Sequence, residues 1–148
     1  MKRPPIEKIY EAWTALTDNR LEIYPGSDFN SGKALVKSSD GTKEYTVSWR
    51  DNGSIFTSTD NATFWQGYPG YPVIAVMMKI GLLPYDAPTA KLYSGINWTK
   101  LNAEHRRDYA AALADIQQQR DIDPAKSRTA AEKALDKLIE SDIQIKRK

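Results

Sequence analysis

The sequence predicts an α+β fold: an antiparallel β-meander of three to four strands with α-helices packed on one face. Three observations predict it. Residues 33–58 alternate apolar and polar positions between turn dipeptides, residues 6–16 and 101–139 repeat apolar positions at helical spacing, and residues 73–80 are apolar on nearly every side. A chain of 148 residues suits one domain, and 1–148 is read as one.

The N-terminal helix is expected over 5–18. Ile6, Ile9, Trp13 and Leu16 fall on one face of a 3.6-residue period. Pro4 and Pro5 suit its beginning, and Asp18-Asn19 favours a turn at its end. The sheet is expected over 20–59. Strands at 33–39 and 43–50 flank Asp40-Gly41, a dipeptide that accepts the positive φ of a hairpin. Tyr45, Val47 and Trp49 share one side of the second strand, while Glu44, Thr46, Ser48 and Arg50 share the other. Asp51-Asn52-Gly53 makes the next turn, 54–58 returns, and 20–24 offers a fourth strand.

The helical part is expected over 60–142. Asp60 or Asn61 caps a short helix through Gln66, and Tyr68-Pro69-Gly70-Tyr71-Pro72 bends the chain. Pro72 then opens a helix at 73–82 that is apolar all round, hence central and buried. Residues 85–95 read as an irregular loop. One helix from Leu101 to about Arg120 carries Leu101, His105, Tyr109, Ala112, Leu113 and Ile116 as a stripe. Asp123-Pro124 restarts the helix as cap and first residue. Its apolar face is narrow (Ala131, Leu135, Leu138, Ile139) and packs on its own domain or, alternatively, on a second copy or a partner helix. The basic tail 143–148 is expected to fray.

Composition removes several functions. With no Cys there is no thiol nucleophile and no Cys-ligated metal, and one His rules out multi-imidazole sites. No metal or cofactor is expected. The 21 basic and 19 acidic residues are balanced at both ends, so no broad field steers the chain onto nucleic acid or an anionic membrane. The apolar run 73–78 is far short of the roughly 20 residues that span a bilayer. Without an apolar leader segment, a soluble protein of the cytoplasm is expected.

Two motifs dissolve on inspection. Gly26 to Lys33 resembles a phosphate loop, but its glycines are one residue too far apart, Ala34 replaces the hydroxyl residue, and a strand rather than a helix follows. Asp121 and Asp123 could pair on a metal, but Asp123 already serves as a helix cap. His105 has the only intrinsic pKa near neutrality. It is read as a hydrogen-bonded core residue or, alternatively, as a general base beside Tyr109 or Asp108.

The most distinctive feature is an aromatic belt. Residues 61–99 hold Phe64, Trp65, Tyr68, Tyr71, Tyr85, Tyr93 and Trp98 with only Lys79, Asp86 and Lys91 charged. Tyr and Trp join an apolar body to a polar tip, which suits cores, pockets and interfaces alike. Trp65, Tyr68, Tyr71, Tyr85 and Tyr93 are therefore the expected site residues of a non-catalytic module that binds a small molecule or a protein. Two alternatives stand beside it. One is a small enzyme using carboxylate, Tyr or His105 chemistry. The other is a sheet face that stacks single-stranded nucleic acid on Tyr45 and Trp49, which the charge balance disfavours.

Overall fold

The computed structural model describes residues 1–26 and 30–147. Helix α1 (Glu7–Thr17) leads into strands β1 (Leu21–Pro25), β2 (Gly32–Lys37), β3 (Glu44–Arg50) and β4 (Ile55–Ser58). A π-helical turn (Ala62–Gln66) follows, then helices α2 (Tyr71–Lys79), α3 (Ala87–Lys91), α4 (Trp98–Glu104), α5 (Tyr109–Gln119) and α6 (Pro124–Ser141), and strand β5 (Gln144–Lys146). The strands lie in the order β1-β2-β3-β4-β5.

The first four strands form the expected antiparallel meander. Val47 sits opposite Ala34 on one side and Ser58 on the other, and Trp49 opposite Gly32 and Phe56. This register puts Ala34, Val36, Val47, Trp49 and Phe56 on one buried face. Tyr45 and Trp49 therefore turn toward the helices, and the sheet face that meets water lacks both rings.

Helix α2 packs against α1 on one side and against β3 and β4 on the other. Its residues Val73 to Met77 are at most 1% exposed, so an all-round apolar helix is indeed a central one. Helix α1 is just as deeply placed: Ile9, Tyr10, Ala12 and Trp13 are at most 1% exposed. Thr14 stitches it to the later helices. Its hydroxyl donates to the Tyr93 carbonyl at 2.6 Å and accepts from the Trp98 indole N–H at 2.8 Å.

Four expectations need correction. The sheet has five strands and is mixed, because the segment expected to fray supplies β5, parallel to β4. Ile143 is buried, Ile145 pairs with Phe56 on the buried face, and the Gln144 amide donates to the Ser54 carbonyl at 2.8 Å. The short helix before Gln66 is a π-helical turn. The 85–95 loop contains α3, whose cap Asp86 accepts from the Thr89 amide. The helix expected from Leu101 to Arg120 is two helices, broken at Arg106 and Arg107, both with positive φ. Asp108 caps the second by accepting from the Ala111 amide, and Asp123 caps α6 as the sequence predicts. The phosphate-loop look-alike includes residues 27–29, which lie outside the described residues, and a strand follows it.

Candidate functional site

The segment from Ser58 to Tyr71 is wound around one carboxylate. Asp60 is 4% exposed; it accepts from the Ser58 hydroxyl and from the Thr63 amide at 3.1 Å. The Gly70 amide returns to the Thr63 hydroxyl at 2.9 Å. A Cβ at Gly70 would collide with an Asp60 carboxylate oxygen, so only glycine lets the backbone approach this closely. This knot holds a π-helical turn, a geometry that recurs at functional sites. It presents Trp65, Tyr68 and Tyr71 to one side.

There they meet α1, β3 and the start of α5. An open cleft of about 660 Å³ lies between them, lined by these three rings, Tyr45, Tyr109, Lys8, Glu11, Asp60 and Arg107, with Asn61, Ala62 and Gln66. Its size falls in the range of small-molecule sites. Tyr45 and Tyr71 meet edge-to-face at 6.4 Å. Trp65 is 65% exposed and stands at the rim, edge-to-face with Phe64 at 4.7 Å. The Arg147 guanidinium lies over both rings at 5.2 and 5.5 Å, so the residue after β5 braces this wall.

A buried ion pair lies along the cleft. Lys8 and Glu11, one helical turn apart on α1, approach to 3.2 Å with side chains 9% and 6% exposed. The Lys8 ammonium also sits 4.2 Å above the Tyr109 ring. Burial works against the Lys8 charge, but Glu11 and then Tyr109 outweigh it, and its pKa lies above the ordinary lysine value. Burial pushes the Glu11 carboxyl up, opposed by Lys8. The Glu11 carboxylate and the Tyr109 ring thus favour the charged form of Lys8. Burial also raises the pKa of Tyr45, Tyr68 and Tyr71, so these hydroxyls remain proton donors.

Of the residues expected from the sequence, Trp65, Tyr68 and Tyr71 come together in this cleft. Tyr93 lies elsewhere, fully buried, donating to the Ser127 hydroxyl at 2.7 Å and accepting from the Gln117 amide at 3.1 Å. Tyr85 is 36% exposed and outside the cleft lining. His105 caps the end of α4, and its Nε2 lies 2.8 Å from an Asp115 oxygen on α5. Neither the Asp108 carboxylate nor the Tyr109 hydroxyl meets its ring: the Asp108 side chain caps α5, and the Tyr109 ring faces Lys8. The His105–Asp115 pair ties the two helices together outside the cleft lining.

Sequence reasoning missed Lys8, Glu11, Tyr45, Asp60, Tyr109 and Arg107 as cleft residues. Lys8 and Glu11 flank the apolar stripe of α1, where a charged pair reads as solvated. Only the Gly70 and Pro72 bend beside Asp60 hinted at a tight local structure.

The chain belongs to the family described as uncharacterised conserved protein UCP014422, whose model matches residues 1–144. No curated protein and no solved structure matches it. Among the described residues no helix is long and apolar enough to cross a membrane.

Proposed function

We propose that this protein is a small-molecule-binding module whose ligand occupies the cleft between α1, β3, the π-helical turn and the start of α5. One observation carries the reading. Five aromatic side chains from four separate elements converge on an open polar cavity of about 660 Å³ above a buried Lys8–Glu11 pair. Rings supply flat contact area, and their hydroxyls and the indole N–H supply direction. The carboxylate of Asp60 is already engaged with Ser58 and Thr63, and that of Glu11 with Lys8. The lining therefore offers recognition groups more than free acids or bases.

The test is affinity mass spectrometry with the low-mass fraction of a cell extract, using the native chain and Trp65→Ala. Trp65 is exposed, so its truncation leaves the fold intact. The expected result is one or more small molecules retained by the native chain and lost from the variant. Retention of nothing, or equal retention by both, overturns the reading.

Glu11 favours a second reading, an enzyme. A buried carboxyl with a raised pKa beside a cleft is a general acid–base candidate. It replaces His105 in that role. Chemical turnover of a retained molecule, abolished by Glu11→Gln without loss of binding, would select this reading.

A further inference from the structure

Four helices end with the same pair of backbone hydrogen bonds, one spanning three residues and the next spanning five. They place Asn19, Gly81, Arg106 and Asp121 at the position of positive φ. Glycine, asparagine and aspartate tolerate that conformation; arginine does not gain from it. The α4 end is stranger still, because Arg107 follows Arg106 with its own φ of 65°. All other described non-glycine residues with positive φ are Asn or Asp. At this one corner, then, the chain carries left-handed backbone on residues that pay for it, and the second of them lines the cleft.

Arg107 is also the exposed cation of the cleft, in a lining whose formal charges, Lys8 and Arg107 against Glu11 and Asp60, sum to zero. Lys8 is divided between Glu11 and the Tyr109 ring, and Asp60 is taken up by Ser58 and Thr63. Arg107 is exposed, and its guanidinium makes no hydrogen bond or ion pair among the described residues. The same cleft carries the hydroxyls of Tyr45, Tyr68 and Tyr109 and the side-chain amides of Asn61 and Gln66. Those hydroxyls and amides can donate or accept, and the cleft carboxylates already face Lys8, Ser58 and Thr63, so the exposed guanidinium is the group that selects a ligand's charge, and its complement is an acceptor-rich anion.

We propose that the cleft takes a small organic oxyanion, a carboxylate or phosphate on a flat body, with Arg107 receiving the charged group and the Tyr and Trp rings holding the body. This rests on the cleft being the binding site. Guanidinium and oxyanion match as a two-pronged fork, which fixes orientation as well as charge.

The experiment is an NMR titration of amide and indole resonances with four matched probes: benzoate, phenyl phosphate, neutral benzamide and cationic benzylamine. The native chain, Arg107→Gln and the neighbouring control Arg106→Gln are compared, and dispersion of the spectra reports folding. The expected result is that benzoate or phenyl phosphate shifts the resonances of Lys8, Trp65 and Tyr68 at a concentration about tenfold below benzamide. Arg107→Gln should erase that preference while Arg106→Gln keeps it. The stronger of the two anions tells carboxylate from phosphate. If benzamide or benzylamine binds the cleft as well as the anions do, or if Arg107→Gln changes nothing, the oxyanion proposal falls and the binding cleft stands. If no probe of any charge moves the cleft resonances, both fall.

Discussion

The two halves of the aromatic belt share a composition and differ in what their polar tips touch. Tyr93 and Trp98, in the later half, are buried with every tip satisfied by protein: Ser127 and Gln117 for the phenol, Thr14 for the indole. Trp65, Tyr68 and Tyr71, in the earlier half, turn their rings to a cavity. A buried tip without a partner costs about 1–3 kcal/mol, so a core ring must bring its partner with it. A ring whose tip is left to a cavity can spend it on a ligand. The difference between core and site thus lies in the hydrogen-bond partners rather than in ring chemistry, since Tyr and Trp occur in both halves.

The largest expected effect breaks this contrast directly. Tyr93→Ala should cost about 3–5 kcal/mol of folding stability, as large buried aromatic truncations do, whereas Trp65→Ala should stay within about 0.5 kcal/mol. Urea unfolding of both variants measures it. Similar losses in the two would show that the belt is one continuous core. A smaller effect extends the contrast to charge. Lys8→Met strands the buried Glu11 carboxylate and should cost about 3 kcal/mol, and the double variant Lys8→Met/Glu11→Leu should recover most of it. A single-variant cost well below about 1 kcal/mol would mean the pair is solvated after all.

The smallest effect concerns the pair outside the cleft. Hydrogen bonds from His105 and then Gln119 hold the Asp115 carboxyl below the usual range. An acid whose folded pKa is lowered contributes stability above its ordinary pKa and loses it as pH falls through the lowered value. The stability difference between the native chain and Asp115→Asn should therefore be present at neutral pH and close in strongly acid solution. A difference that is constant across that range would place the His105 contact among the incidental ones.

Much of the scaffold was legible because local chemistry agreed with the tertiary result. Alternation around Asp40-Gly41 marked the meander, the all-apolar run marked α2 as central, and Asp123-Pro124 marked the start of α6. Strand β5 was hidden because only Ile143 and Ile145 signal it, and its partner β4 lies on the far side of all the intervening helices. The break at Arg106 was hidden for the opposite reason. Arginine is a good helix former, so propensity argues for continuity where the fold imposes a corner. The site was legible on one wall only. Low charge and rings drew attention to Trp65, Tyr68 and Tyr71, but their opposite wall comes from α1, β3 and the α5 corner. Nothing local to Lys8, Tyr45 or Arg107 says that these elements will face one cavity.

The parallel pairing of β5 with β4 has a consequence for how the chain is made. On the ribosome, β4 emerges early and its outer edge stays open while every helix from α2 to α6 is synthesised. An unpaired strand edge is a template for the wrong neighbour. The wall that carries Phe64 and Trp65 gains its Arg147 brace only when that edge is closed. A chain interrupted before residue 144 would hold the central helices and most of the sheet, yet would meet the cell with an adhesive edge and an unbraced cleft.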